Sequence, residues 1–257
     1  MKNCLIFGSG RSGTSMLGGM LHDSGYYMGE DLYPARDSNP KGFFENDFIN
    51  GINEKILIRY DSNKHKLKGL FTGKTSIYSP GKGQHWLSCI SEGTNVDQGS
   101  SAVVASIKKA CSESRFAYKD PRFSYTLPVW EKYLPEDAVY VVIFRNPSIV
   151  VSSIIKECAA IGYLKNMMIN PEDAYSTWIS MYSHILKNYD KSPEKFFFVN
   201  YDNILNGGKI DKLSEFLSVT IRDDFIDHKL RRSNDDTEMP EQARKLYDYL
   251  NAIADKA

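Results

Sequence analysis

Leu5 to Leu17 reads LIFGSGRSGTSML, an apolar run followed by a glycine-rich loop and a segment of helical periodicity. Glycines let a backbone turn tightly, so successive N–H groups and the positive end of the following helix can converge on one anionic oxygen group. We therefore expect a strand, a loop that binds a phosphate or sulfate ester, and a helix; an ordinary glycine-rich turn is the alternative interpretation. The loop residues predicted to bind the ester are Gly10, Arg11, Ser12, Gly13, Thr14 and Ser15.

The loop departs from the ATPase pattern G-x-x-x-x-G-K-[ST] at one decisive position. Gly8, Gly13 and Ser15 fit that pattern, but Thr14 replaces the lysine that grips the β- and γ-phosphates of ATP. The most apolar later strand, VYVVIF, is followed by Arg145 instead of an aspartate that could hold Mg²⁺. The sequence therefore disfavours ATP hydrolysis.

A second anion site is predicted in the stretch VVIFRNPSIVVSSI, residues 141–154. Arg145 follows a buried strand, at the end where open α/β sheets bind ligands, and Pro147 suits the first turn of a helix. Ser153 lies about two helical turns beyond Arg145 and can offer its hydroxyl to the same oxygen group. Two anion sites imply a bis-phosphorylated nucleotide, although each residue alone is more often a solvated surface group.

Elsewhere, apolar strand-like runs alternate with segments of helical period, which is typical of an α/β fold. The predicted strands are Cys4 to Phe7, Phe116 to Tyr118, Val139 to Phe144 and Phe196 to Val199, and the predicted helices begin at Thr14 and near Glu45, Ser100, Pro147, Pro171 and Pro240. Such apolar strands favour a mostly parallel central sheet flanked by helices. We interpret residues 1–257 as one domain with a loop-rich insertion or lid at about 61–100.

Composition limits the class of partner. The 257 residues include 32 Lys plus Arg and 32 Asp plus Glu, and a net charge of zero does not favour nucleic acid or an anionic membrane as a partner. The four cysteines form no C-x-x-C pair and the five histidines have no metal-ligand spacing with them, so we expect no metal site and no disulfide framework. Because no apolar run matches a signal peptide or a membrane span, we predict a cytoplasmic location.

These motifs resemble those of the sulfotransferases that use 3′-phosphoadenosine 5′-phosphosulfate (PAPS). RSGTS, residues 11–15, is similar to the family's 5′-phosphosulfate loop, in the arginine form of tyrosylprotein and many bacterial carbohydrate-type members. Arg145 and Ser153 match the family's 3′-phosphate motif. The segments 119–130 and 197–217 resemble further parts of bacterial and heparan-type members.

The resemblance spans about residues 3–235 and implies a three-layer fold of P-loop type. It implies transfer of a sulfonate group from PAPS to a hydroxyl or amine of a small or carbohydrate-like acceptor, which leaves adenosine 3′,5′-bisphosphate. Such a transfer needs positive groups near the leaving oxygens and a base for the acceptor proton, with no metal required. We expect Arg11 to act as a fixed positive charge. Lys119 resembles a lysine that lies near the acceptor in heparan-type members. Arg231 and Arg232 lie in the part of the sequence where the family has a basic loop over the nucleotide.

Glu45 is the predicted base. It follows Phe43 and Phe44 at the predicted start of a helix, where apolar neighbours would raise the pKa of its carboxyl group. A role in complementing the helix N-terminus is equally compatible with this position. Heparan-type members have a glutamate in this region, although theirs precedes the aromatic pair, and His22 and His85 are alternative bases.

Two other classes of function stay open on the sequence. A P-loop kinase or other phosphotransferase would need Mg²⁺ and a lysine for the γ-phosphate. A non-catalytic nucleotide-binding module would keep the phosphate loop and lack the base.

Overall fold

A computed structural model gives the fold of this chain. It describes residues 1–37, 39–60, 80–97, 99–164, 167–227 and 238–256.

Within the described residues, four short parallel strands form one sheet in the order β2–β1–β3–β4. The strands are β1 (Cys4–Phe7), β2 (Ala117–Lys119), β3 (Val139–Phe144) and β4 (Phe196–Asn200). Leu5 at the centre of β1 pairs with Tyr118 on one side and Tyr140 on the other. The predicted parallel sheet is confirmed, with β2 shifted by one residue and β4 extended by one.

Helices cover both faces of the sheet. They are α1 (Thr14–Asp23), α2 (Asp47–Leu57), α3 (Ser101–Cys111), α4 (Phe123–Trp130), α5 (Pro147–Ala160), α6 (Pro171–Tyr189), α7 (Tyr201–Leu205), α8 (Ile210–Leu217) and α9 (Glu241–Lys256). Successive residues of a strand point to opposite faces. Cys4 and Ile6 accordingly join the apolar cluster with α1, α7 and α8, whereas Leu5 and Phe7 join the cluster with α2 to α6 and α9. The three-layer α/β fold is therefore confirmed.

The helix starts follow local capping chemistry. Pro147 and Pro171 occupy first helical turns, as predicted, where the proline ring fits and its missing N–H costs nothing. The helix predicted near Glu45 begins two residues later, because Asn46 is the residue that caps it: its side-chain oxygen accepts the N–H of Ile49 at 3.1 Å. Glu45 consequently precedes the helix.

Part of the predicted insertion at 61–100 is folded against the core. Residues 61–79 and 98 lie outside the described residues. Beyond them the chain forms a short 3₁₀ turn, His85–Leu87, and the side chains of Leu87, Ile90 and Val96 are buried in the larger apolar cluster. Movement of the segment as a lid stays a prediction.

Asn53 connects α2 to the segment that follows β2. Its amide is fully buried and donates to Asp120 Oδ2 at 2.8 Å, while its carbonyl oxygen accepts from Thr126 Oγ1 and Trp130 Nε1, both at 2.8 Å. A buried polar group left without such a partner destabilises the folded state. Asn53 therefore fixes the strand end from which several site residues project.

We predict that Asn53→Ala lowers the free energy of unfolding by about 3 to 5 kcal/mol, because Asp120 and Trp130 each lose a buried hydrogen bond and Thr126 keeps only its bond to the carbonyl oxygen of Arg122. Urea denaturation measures this change. Lys55→Ala, at an exposed position of the same helix, is the control and should stay within about 0.5 kcal/mol of the parent protein. A loss below about 1 kcal/mol in Asn53→Ala would contradict the role assigned to the amide.

Candidate active site

A cleft of about 450 Å³ opens at the carboxyl ends of the strands. Parallel strands end at the same edge of a sheet, so the residues that follow them are brought together there. Arg11 comes from the loop after β1, Lys119 ends β2, Arg145 follows β3 and Tyr201 follows β4. All four line the cleft.

The glycine-rich loop presents the start of α1 to this cleft. Gly13 is the N-cap residue and has a φ of 95°, a left-handed conformation that favours glycine. A Cβ atom at this position would also overlap the ring of Tyr201. Glycine has no side chain to cap α1, so the first N–H groups of the helix, at the edge of the cleft, can donate hydrogen bonds to an anion. Thr14 and Ser15 line the cleft beside them.

Ser12 points away from the cleft. Its hydroxyl lies 2.7 Å from Ser9 Oγ and accepts a hydrogen bond from Tyr182 OH at 3.2 Å, in the buried interior. In this structure the Ser12 hydroxyl supports the loop conformation from the interior side, and its predicted use on a bound ester stays a prediction. The sequence places a hydroxyl in this loop but does not indicate which way it points.

Arg11 connects the two predicted anion sites. Its Nε donates to Ser153 Oγ on α5 at 2.9 Å, and its Nη1 lies 3.7 Å from Glu157 Oε2, one turn further along α5. Ser153 and Glu157 both line the cleft with Arg11. The serine of the second motif is thus in direct contact with the arginine of the first.

Arg145, which follows β3, also lines the cleft. Its guanidinium carbon lies 4.4 Å from the ring centroid of Tyr201, which is a stacked cation–π arrangement. Asn146 caps α5 by accepting the N–H of Ser148 at 2.9 Å, and Pro147 begins the helix. The sequence RNP therefore turns the chain sharply from β3 into α5 and leaves Arg145 at the edge of the cleft.

Lys119 joins the phosphate loop to Glu45. Its ammonium lies 2.5 Å from Glu45 Oε1 and donates to Ser15 Oγ at 3.3 Å, and only 2% of its side chain is exposed. Asn50 on α2 donates to the other oxygen of Glu45 at 2.8 Å. A loop hydroxyl, a cation and a carboxylate therefore lie in one hydrogen-bonded row.

The expected rise in the pKa of Glu45 is wrong. Burial alone would raise the pKa of this carboxyl, but the cations Lys119 and Arg122, with hydrogen bonds from Lys119 and Asn50, outweigh it and lower the pKa. Neighbouring aromatics are evident in the sequence, whereas the lysine that pairs with Glu45 is 74 positions away along the chain. Glu45 is therefore ionised at neutral pH.

Arg122 forms a buried ion pair with Asp120. Arg122 Nη1 lies 2.9 Å from Asp120 Oδ1, and its Nε lies 2.6 Å from Glu54 Oε1. Burial raises the pKa of Asp120 despite the pairing with Arg122. Arg122 also lines the cleft, although the sequence did not single it out as a binding residue.

The remaining sequence candidates are two arginines and two histidines. Arg231 and Arg232 fall in residues 228–237, outside the described residues. His22 is exposed near the end of α1 with Asp23 at 3.4 Å, and His85 is buried with its Nδ1 2.6 Å from Glu54 Oε2. Neither histidine is among the residues that line the cleft.

Over the described ranges, no three His, Cys, Asp or Glu side chains cluster closely enough to hold a metal ion. Over the same residues, no helix combines the length and the apolar character needed to cross a bilayer.

The parallel sheet, the helices on both of its faces and the glycine-rich loop define an α/β protein with a three-layer fold and a cleft at the carboxyl ends of the strands. The chain matches the model of the sulfotransferase family over residues 4–223 and belongs to that family. It is similar in structure to the sulfotransferase domain from the curacin biosynthetic pathway, with 12% identity, a TM-score of 0.55 and 97% of each chain covered. A second similar structure is the sulfotransferase domain of the Synechococcus PCC 7002 olefin synthase, with 16% identity, a TM-score of 0.53, and 98% of this chain and 96% of that chain covered. No curated protein matches the sequence.

Glu54 makes the stability of the fold depend on pH. Burial would raise the pKa of its carboxyl, but the hydrogen bond with His85 and the cation Arg122 outweigh it and lower the pKa from 4.5 to about 2. The unfolded chain therefore binds this proton at a higher pH than the folded protein does. The stabilisation is complete above about pH 4.5 and is lost as the pH falls towards 2.

We predict that Glu54→Gln is less stable than the parent protein by on the order of 3 kcal/mol at pH 7, and that this difference shrinks as the pH falls below 4.5. Urea denaturation at pH 7, 4 and 3 measures the trend. Glu30→Gln, at an exposed glutamate outside the cleft, serves as the control and should show no such trend. An equal difference at pH 7 and pH 3 would refute the assignment.

Proposed function

We propose that this member of the sulfotransferase family transfers a sulfonate group from PAPS to a hydroxyl or amine of a small or carbohydrate-like acceptor. The observation that carries the proposal is the contact between Arg11 of the loop and Ser153 of α5, with Arg145 lining the same cleft. Both anion sites expected for a bis-phosphorylated nucleotide thereby face one cavity. The cytoplasmic location stays a prediction.

The residues that line the cleft fit a nucleotide with two separate anionic groups. The uncapped start of α1 and the side chain of Ser15 would hold the 5′ group, while Arg145 and Ser153 would hold the 3′-phosphate. Arg11, which contacts Ser153 from the loop, can donate to either group because its guanidinium has five N–H donors in a rigid plane. When bound, PAPS supplies the sulfonate group and leaves as adenosine 3′,5′-bisphosphate.

Lys119 is suited to stabilise charge on the leaving side. It is buried against Ser15, where the 5′ group is expected, and a cation in a poorly hydrated site acts more strongly than one in water. Unlike the arginine of the loop, a lysine carries a compact charge that can shift between partners. Its second partner is Glu45.

Glu45 is suited to take the acceptor proton. A carboxylate with a lowered pKa is a weak base while Lys119 is bound to it. If Lys119 shares its charge with an anion beside Ser15, its hold on Glu45 weakens and the carboxylate becomes more basic. This coupling would activate the base only when the donor is in place.

The acceptor would lie next to Glu45, where the segment before α2 forms the wall of the cleft. That wall is lined by Tyr33, Arg36, Asn39, Lys41 and Phe43. Such a mixture of aromatic faces and hydrogen-bonding side chains suits a molecule that carries hydroxyl groups on an apolar frame. The small or carbohydrate-like class of acceptor rests on this lining.

We predict that Arg145→Ala weakens the binding of adenosine 3′,5′-bisphosphate by about tenfold or more and changes the binding of adenosine 5′-phosphate much less. The lost charge-assisted contacts, about 1.5 to 3 kcal/mol each, serve only the 3′ group. Isothermal titration calorimetry with both ligands measures the difference, and Arg244→Ala on the exposed face of α9 is the matched control. Equal losses for the two nucleotides would exclude Arg145 as the 3′-phosphate residue.

We predict that Glu45→Gln lowers kcat at least about a hundredfold, as expected for loss of a general base. The affinity for adenosine 3′,5′-bisphosphate should change little, because the substituted residue faces the acceptor. Product formation from radiolabelled PAPS over a panel of hydroxyl and amine acceptors provides the assay, with Glu30→Gln as control. Unchanged turnover in Glu45→Gln would exclude Glu45 as the base. Nucleotide binding without turnover in the parent protein would favour a non-catalytic binding module.

A further inference from the structure

The segment Gly83–Trp86 forms a wall over the phosphate loop. A Cβ atom built at Gly10 would lie 2.5 Å from Cζ3 of Trp86, so the indole ring rests directly on the loop backbone. The ring is half-buried and lines the cleft. Nothing in the glycine motif itself requires an aromatic residue 76 positions further along the chain.

Glu54 of α2 holds this segment in place. Its carboxylate accepts the backbone N–H of Gly83 at 2.9 Å, the backbone N–H of His85 at 3.0 Å and Nδ1 of the same imidazole at 2.6 Å. Arg122 donates to Glu54 at 2.6 Å and to the carbonyl oxygen of Gly83 at 3.2 Å. The backbone that precedes Trp86 is therefore tied to both α2 and the end of β2.

We propose that Trp86 contacts the anionic 5′ end of the bound nucleotide and that Glu54 is the positioning residue that keeps Trp86 over the loop. This inference rests on the proposed function, since the ligand is the nucleotide assigned there. An indole face that covers the loop at Gly10 excludes water from the N–H groups that bind the anion. Hydrogen bonds to a charged group are stronger where water is excluded.

The tryptophan content of the chain allows a direct test. The protein has three tryptophans, and Trp130 and Trp178 are fully buried in the core. A change of tryptophan emission on titration with adenosine 3′,5′-bisphosphate would therefore come from Trp86. We expect a saturable change in the parent protein, with the same midpoint as calorimetry, and no change in Trp86→Phe.

The role of Glu54 is tested by the same two measurements. We expect Glu54→Gln to weaken the bisphosphate about tenfold, equivalent to about 1.4 kcal/mol, and to shift the emission of the free protein to longer wavelength as Trp86 becomes more exposed. Lys55→Gln on the same helix is the control and should bind as the parent protein does. If Glu54→Gln does not fold, Trp86→Ala replaces it, with the same expected loss of affinity.

The outcomes separate this inference from the proposed function. If calorimetry detects no binding of the bisphosphate to the parent protein, the proposed function fails and the inference fails with it. If the bisphosphate binds but the emission is unchanged, or Trp86→Phe retains the same change, the inference alone is wrong. Parent-like affinity in folded Glu54→Gln, or in Trp86→Ala, would likewise overturn it.

Discussion

The site depends on one constraint, the parallel alignment of four buried strands. Parallel strands all end at the same edge of the sheet, so residues that are far apart in sequence lie together in one cleft at that edge. Arg11, Lys119, Arg145 and Tyr201 come from the ends of successive strands and are brought together in this way. Apolar side chains on both faces of the sheet stabilise this pairing of the strands. The cleft forms where the paired strands end.

Charges at the cleft are arranged in two groups. Lys119 and Glu45 form the group next to the loop, and Arg122, Asp120 and Glu54 form a second group, of which Arg122 also lines the cleft. Buried charges are tolerated only when they are paired and hydrogen-bonded, so each group constrains the backbone that carries it. The second group ties the end of β2 to α2, the elements beside which Lys119 and Glu45 lie.

The sequence was sufficient to predict the architecture. Each strand is a short apolar run with clear ends, and the loop after β1 has the glycine and hydroxyl content typical of an anion site. Proline also marks the starts of α5 and α6 in the sequence, whereas α2 begins after Asn46, its cap residue, and not at Glu45. Local signals of this kind depend on a few neighbouring residues, which is why the sequence shows them.

The interior of the site was harder to predict, because it depends on contacts between distant residues. The inward turn of the Ser12 hydroxyl, the low pKa of Glu45 and the place of Trp86 over the loop each involve a partner more than 70 positions away. No periodicity or motif encodes such pairs in a single sequence. Glu54 was missed for the same reason, since a glutamate in an amphipathic helix ordinarily faces water.

Tyr201 affects the distance between the two places in the cleft where anionic groups of a ligand are expected. One ring touches both the backbone of Gly13 and the guanidinium of Arg145, and so it acts as a rigid spacer between the two places where negative groups are expected. The distance between these places is then set by the width of an aromatic ring instead of by flexible side chains. Any substitution that alters the ring would therefore disturb both ends of the cleft together.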